Sequence, residues 1–171
     1  MSTSQGCCGG SGSGKDAPAP SAEQVREGVS EYYGETLQST ADLKTTACLP
    51  SAERPSREVR HALGRVHDEI HQRYFGCGLA VPEVLEGCRA LDLGCGAGRD
   101  VFVLAQMVSE KGSVTGVDMT AAQLDVARKH IDYHTEAFGY ARSNVKFVQG
   151  TLEELDVALD AEQASYDVAI R

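Results

Sequence analysis

Three alternate glycines and two carboxylates are the residues of this chain whose types and spacing best suit chemistry on a bound ligand. Leu91-Asp92-Leu93-Gly94-Cys95-Gly96-Ala97-Gly98-Arg99-Asp100 passes from an apolar run through an acid into Gly-x-Gly-x-Gly. Glycine reaches dihedrals closed to other residues and leaves the backbone bare, so a ligand can lie directly against main-chain groups. The spacing is not the Gly-x-Gly-x-x-Gly of dinucleotide-binding folds. The second carboxylate, Asp118, ends the run Ser113-Val114-Thr115-Gly116-Val117-Asp118, 20 positions after Gly98. Near that separation in a β-α-β unit, a carboxylate can accept both hydroxyls of a ribose. Together the two features point to a cofactor with an adenosyl group. Taken singly, the glycines also suit a plain strand-to-helix turn, and Asp118 also suits a helix cap.

The thiols are the other reactive set. The six cysteines are Cys7, Cys8, Cys48, Cys77, Cys88 and Cys95. None falls in a Cys-x-x-Cys pair, so no zinc knuckle is indicated. Two glycines flank Cys77, which exposes its thiol and suits reactivity or metal capture. The vicinal pair Cys7-Cys8 can capture a soft metal or metalloid, although an incidental pair is the simpler reading. Cys88 reads as a small buried residue, and Cys95 can line a pocket at the glycine turn. His67-Asp68-Glu69-Ile70-His71 has Asp where the zinc-protease motif His-Glu-x-x-His requires Glu. With His61, these histidines read as the solvated face of a helix.

The elements that must position these residues alternate between strand and helix. Arg89–Leu93 is a strand, and Val101, Leu104, Ala105 and Val108 follow at helical spacing. Gly112 is the expected helix C-cap. Ser113–Asp118 is a second strand. Thr120-x-x-Gln123 is a capping box for a helix running to Phe138-Gly139. Val145–Gln149 is a third strand, Thr151-x-x-Glu154 boxes a short helix, and Tyr166–Ile170 is a fourth strand. This order predicts an α/β fold with a parallel sheet whose ligand lies outside the carboxyl ends of the strands. Upstream, Ser21-x-x-Gln24 opens one helix. Pro55-Ser56 opens another, with Val59, Leu63, Val66, Ile70 and Tyr74 on its apolar side.

Composition narrows the classes. The chain has 171 residues, 42% of them hydrophobic, and a net charge of −9, which is enough apolar content for a core. A duplex-binding surface needs clustered Lys and Arg, and none is present, so nucleic acid is not an expected partner. No apolar run approaches the ~20 residues of a membrane helix, and the N-terminus lacks the apolar centre of a secretory signal. A cytoplasmic location is therefore expected. Residues 1–20, rich in Gly, Ser, Ala and Pro, read as a flexible tail. Residues 21–86 read as a helical, lid-like extension, and 87–171 as the ligand-binding domain.

Leu91–Gly98 resembles the glycine-rich motif of class I S-adenosylmethionine-dependent methyltransferases. Tyr32-Tyr33-Gly34, Asp42–Cys48, Arg73–Leu79 and Val114–Thr120 narrow the resemblance to arsenite methyltransferases, from about Tyr32 to Ile170. The resemblance implies a Rossmann-like sheet, S-adenosyl-L-methionine as cofactor and trivalent arsenic as substrate. It assigns cofactor contacts to Asp92, Gly94, Gly96, Gly98, Asp118, Met119, Thr151 and Leu152. It matches Cys48 and Cys77 to two upstream cysteines of a thiol–disulfide cycle that keeps arsenic trivalent. They are then the expected catalytic residues and possible arsenic contacts, with a thiol reductant of the thioredoxin or glutathione type as partner. Thiolates suit soft metalloids.

The sequence also departs from that family. The family's two further arsenic-binding cysteines follow the fourth strand, where this chain ends. The expectation is an N-terminal portion lacking the C-terminal strands, with the edge of the fourth strand left open to association. Two other readings stay open: a methyltransferase for another small organic acceptor, and a non-catalytic fragment that binds cofactor or arsenic.

Overall fold

The computed structural model describes residues 20–37, 55–76, 78, 81–82, 84–159 and 165–171. Four parallel strands form its centre: β1 (Arg89–Leu93), β2 (Ser113–Asp118), β3 (Val145–Gln149) and β4 (Val168–Ile170). Their order is β3-β2-β1-β4. Leu91 stands opposite Thr115 and Ala169, and Thr115 opposite Lys146. The carboxyl ends of β1, β2 and β3 therefore lie side by side. Strands that are joined through helices cannot close as hairpins, so parallel pairing follows from the alternation seen in sequence.

The connecting helices are α4 (Arg99–Met107), α5 (Ala121–Lys129), α6 (Ile131–Phe138) and α7 (Leu155–Leu159), the last preceded by a 3-10 turn at Leu152–Glu154. The N-terminal part adds α1 (Ala22–Glu31), a π-helical turn at Tyr32–Thr36, α2 (Arg57–Leu63) and α3 (Asp68–Gln72). The Ser21 capping box forms in full, with Ser21 Oγ accepting from Gln24 N and Gln24 Oε1 accepting from Ser21 N.

Several boundaries differ from the sequence expectation, each for a local reason. The helix expected over 55–74 breaks at Gly64–Val66, where the backbone turns before His67. The helix expected from Thr120 to Phe138 bends at His130, which has φ −102° and ψ 9°. Thr120 holds the N-cap position of α5, but its side chain makes no cap bond. Asp118 Oδ1 already takes the Thr120 N–H, and Gln123 turns to the Tyr33 carbonyl. Thr151 likewise makes no cap bond to the backbone; its hydroxyl faces Glu154 Oε2 at 3.5 Å. Gly112 is not the cap of α4, which ends at Met107 with Val108 as C-cap and Ser109 at φ 61°. Gly112 is required for packing instead, since a Cβ there would collide with Cys88 and Val108.

The core lies between α4 and the sheet. Val101, Phe102, Val103, Leu104 and Ala105 are all buried, because α4 is sandwiched between the strands and α2. Phe102 is fully enclosed: its ring stacks on His134 at 3.6 Å between centroids and meets Phe147 edge-on at 5.6 Å. Burial pushes the His134 imidazole down to a pKa of about 4, so the ring packs as a neutral aromatic. Phe102→Ala should therefore cost about 3–5 kcal/mol of stability through lost transfer energy and a residual cavity. Urea unfolding checks this, and a loss below about 1 kcal/mol would contradict a core centred on this ring.

Candidate functional site

The turn after β1 is shaped by its glycines and fastened by hydrogen bonds to the end of β2. Gly94, Gly96 and Gly98 all have positive φ, at 79°, 52° and 86°. That region is strained for side chains other than glycine. The Gly94 and Cys95 N–H groups both donate to the Val117 carbonyl, at 2.8 and 3.0 Å. Asp118 Oδ2 accepts from Gly96 N at 2.8 Å, while Oδ1 accepts from Thr120 N at 2.8 Å. One carboxylate thus ties the glycine turn to the start of α5. A carboxylate offers about four lone-pair sites, so acceptor capacity remains for a ligand.

A cleft of about 930 Å³ opens above the carboxyl ends of the strands. Asp92, Gly94, Gly96, Asp118, Met119, Thr151 and Leu152, all expected from sequence, line it together. Gly98 is not among the described lining residues. A Cβ at Gly98 would stand 2.8 Å from the Phe147 ring and 3.3 Å from Ala127 Cβ, so this glycine serves close packing of α4. The sequence-expected thiols Cys48 and Cys77 lie outside the described residues, as do Cys7 and Cys8.

Asp92 is 4% exposed, and its Oδ2 has no hydrogen-bond partner among the described residues. Burial, reinforced by the negative charges of Asp100 and Asp118, raises its pKa to about 7, with Arg99 opposing. A buried acceptor without a partner is costly, so this atom is prepared for a donor or cation in the cleft. Cys95 is no nucleophile. Burial pushes its thiol far up, and Sγ packs where a Cβ on Gly116 would come within 2.8 Å of it.

The opposite wall comes from the N-terminal part. Val25 and Val29 of α1, with Tyr33, Tyr74 and Phe75, face the cleft. Arg26 reaches across to Glu153 at 3.7 Å, an exposed pair of small energetic weight that marks how α1 overhangs the turn after β3. Arg99, in the first turn of α4, links both walls. Its Nη2 donates to Gly78 O at 3.2 Å, its Nε to Asp100 Oδ1 at 2.7 Å, and its guanidinium lies 3.1 Å from the centre of the Tyr74 ring. The Tyr74 hydroxyl in turn bonds the Gly78 backbone at both N–H and C=O. A Cβ on Gly76 would overlap the Tyr74 ring, so the backbone at Gly76 packs directly against that ring.

His61 is exposed, as the solvated-face expectation has it, whereas His67 and His71 are partly buried and engaged. His67 caps α3 by accepting Glu69 N at Nδ1, and its ring stacks on the buried His130 at 4.0 Å. His71 pairs with the Leu63 carbonyl. Glu69 Oε2 meets Lys129 Nζ at 2.7 Å and His130 Nε2 at 2.8 Å. The hydrogen bond from Lys129, then that from His130, holds the Glu69 pKa down at about 2. His67, Glu69 and His130 bring ligand-type atoms within 4.8 Å of one another. Stacked rings, however, aim their lone pairs alongside each other rather than at one point, and His67 Nδ1 is already engaged. The cluster clamps α3 to the bend between α5 and α6.

Sequence reasoning missed the wall residues of α1, Gln123, and the Arg99–Tyr74 stack. The apolar spacing of Val25 and Val29 was visible, but not what that side faces.

A methyltransferase domain family model matches residues 85–171. Arsenite methyltransferase of Rattus norvegicus is 47% identical over 89% of this chain and 41% of its own length. That of Aquipseudomonas alcaligenes is 49% identical over 85% of this chain and 41% of its own. Among solved structures, an arsenic(III) S-adenosylmethionine methyltransferase from Chlamydomonas reinhardtii is similar with a TM-score of 0.65 and 49% identity. That match covers 68% of this chain and 38% of that one. The chain therefore spans well under half the length of these relatives. No helix among the described residues is long and apolar enough to cross a membrane. With β1 to β4 and their glycine turn inside the matched half of the chain, the protein belongs to the methyltransferase domain family.

Proposed function

We propose that this chain is the cofactor-binding portion of an arsenite methyltransferase, which transfers methyl groups from S-adenosyl-L-methionine to trivalent arsenic. The observation that carries the reading is the cleft itself. Bare backbone at Gly94 and Gly96, the Asp118 carboxylate and the orphaned Asp92 Oδ2 converge at the strand ends. The relatives named above supply the substrate class.

The residues present fit the cofactor. Asp118 would accept the ribose hydroxyls, and Asp92 would face the cationic methionine end. Gly94 and Gly96 would admit that end against the backbone. Met119, Thr151 and Leu152 would flank the adenine. When bound, the cofactor supplies an electrophilic methyl group on a sulfonium. The chain's own work is to orient that group and exclude water, which places donor and acceptor in line. The N-terminal extension would serve as the cover, a reading supported by Val25, Val29 and Tyr33, which wall the cleft.

Cys48 and Cys77 would hold trivalent arsenic through sulfur. Methyl transfer to the lone pair leaves arsenic pentavalent. The dithiol would return it to the trivalent state by giving up two electrons and closing a disulfide, which a thiol reductant of the thioredoxin or glutathione type then reopens. Thiolate ligation leaves the arsenic lone pair free, and that pair carries no proton, so no general base is required. A cytoplasmic setting would keep these thiols reduced between turnovers.

Asp118→Ala should weaken S-adenosylmethionine binding by about 1–3 kcal/mol through lost hydrogen bonds. Unchanged affinity by titration calorimetry would remove Asp118 from the site.

Asp92 makes the site pH-dependent. Its folded pKa of about 7 lies above the ordinary 3.8, so the folded chain binds a proton that the unfolded chain releases in between. That contribution to stability is full below pH 3.8 and is lost as pH rises through about 7. Asp92→Asn should therefore be the more stable ligand-free protein by about 1–3 kcal/mol near pH ~8, and close to wild type near pH ~4. Parallel melting profiles for the two proteins would contradict this.

Cys48 and Cys77 should form a disulfide in the oxidised chain and react as free thiols after reduction. Differential alkylation with peptide mass mapping reads this out. Independent labelling in both states would end the paired role.

A further inference from the structure

Four histidines, His67, His71, His130 and His134, gather where α3 meets the bend between α5 and α6. His134 is the most deeply buried of them, at 1% exposed, and its ring lies on that of Phe102 in α4. Both of its ring nitrogens are committed. Nδ1 donates to the His130 carbonyl at 2.7 Å, and Nε2 accepts the His67 N–H at 3.1 Å. Only the neutral ring with its proton on Nδ1 can do both. A second proton, on Nε2, would set two donors face to face.

The bond from His67 N–H ties two parts of the fold. His67 is the N-cap of α3, so its backbone fixes where that five-residue helix starts. Ile70 of α3 is fully buried, and Ile70, Arg73, Tyr74 and Phe75 go on to line the cleft. One acceptor atom on α6 therefore helps to position a wall of the cleft.

The surroundings of His134 set how it titrates. Burial acts first and holds its pKa at about 4, against the bond to the His130 carbonyl, while positive charge on His130, His67 or His71 adds to the depression. Phe102 from α4 and Tyr133 and Phe138 from α6 supply the rest of the shell as rings, with Tyr140 and Arg65 against Phe138. The carboxylate of the cluster, Glu69, is shared between Lys129 and His130. A histidine whose pKa falls from 6.5 to about 4 on folding stabilises the tied form fully above pH 6.5, and that contribution is lost as pH falls through about 4.

We propose that His134 is a proton-released clasp: when neutral it holds the start of α3, and when protonated it lets go of α3 and loosens the cleft wall at Ile70–Phe75 while the sheet stays folded. Acid acts on the same spot a second way, because His67 and His130 stack at 4.0 Å and two charged rings there would repel. Glu69 is the counterweight. Its pKa of about 2 keeps it ionised across this range, so its bonds to Lys129 and His130 tether α3, and the clasp recloses when the proton leaves.

The test uses the full 171-residue chain without ligand, so the cofactor reading stands or falls separately. Side-chain nitrogen NMR should find His134 as the Nδ1–H tautomer near pH ~7.5. Amide exchange, corrected for its intrinsic pH dependence, should lose at least about tenfold protection over residues 67–75 between pH ~7.5 and pH ~5. Strand amides at 90–92 and 114–117 should stay better protected than that segment throughout. His134→Gln offers an amide oxygen as a fixed acceptor, so its segment should stay protected at both pH values. His134→Phe keeps a ring against Phe102 without the acceptor, so its segment should be weakly protected at both. Should neither variant fold, the two wild-type measurements decide alone. An Nε2–H or charged His134 near pH ~7.5 would overturn the proposal. So would wild-type protection that ignores pH, strands that open together with the segment, or an undiminished pH response in His134→Gln.

Discussion

The site depends on a latch between two neighbouring strand ends. Val117 and Asp118 at the end of β2 receive the N–H groups of Gly94, Cys95 and Gly96, through one main-chain carbonyl and one side-chain carboxylate. The turn after β1 is thereby set in a shape that only glycine adopts freely at three of its positions. Because β1 and β2 are adjacent and in parallel register, the latch needs no long connection. The same carboxylate oxygen pair also starts α5 through Thr120 N. The bare backbone that a ligand would touch is therefore rigid before the ligand arrives.

Around that latch the charges are set against one another. Asp92, Asp100 and Asp118 share a confined space with Arg99 as the facing cation. Burial raises Asp92 and Asp100 above the ordinary carboxylate range. Asp118 accepts hydrogen bonds from the Gly96 and Thr120 N–H groups. Arg99 is in turn drawn toward the Tyr74 ring and the Gly78 carbonyl. The helical N-terminal part thus touches the sheet domain at its electrostatic centre, not only through apolar packing. The Glu69–Lys129–His130 cluster makes a second, peripheral fastening of the same two parts.

The strands and the glycine turn were legible in sequence because their signals are local. An apolar run, an acid and alternating glycines occupy consecutive positions, and strand alternates with helix at regular spacing. Seven of the eight expected cofactor contacts line one cleft for the same reason, since strand ends in a parallel sheet must converge. Gly98 lies outside that lining; a glycine packed against Phe147 and one bordering a cleft look alike in sequence. The capping boxes at Thr120 and Thr151 did not form because other bonds claimed their groups: Asp118 takes the Thr120 N–H and Tyr33 takes Gln123, while Thr151 and Glu154 turn their side chains to each other instead of to the backbone. The helix breaks at Gly64–Val66 and His130 carry little local signal, since apolar spacing continues across both. His67 looked solvated because only the folded chain puts His130 beneath it.

The most direct measurement is a crystal structure of the chain grown with S-adenosylhomocysteine. The ligand is expected along residues 94–98, with its ribose hydroxyls on Asp118 and its ammonium group facing Asp92. The same compound lodged elsewhere on the molecule, with the glycine turn in contact only with solvent, would contradict the site assigned to this fold.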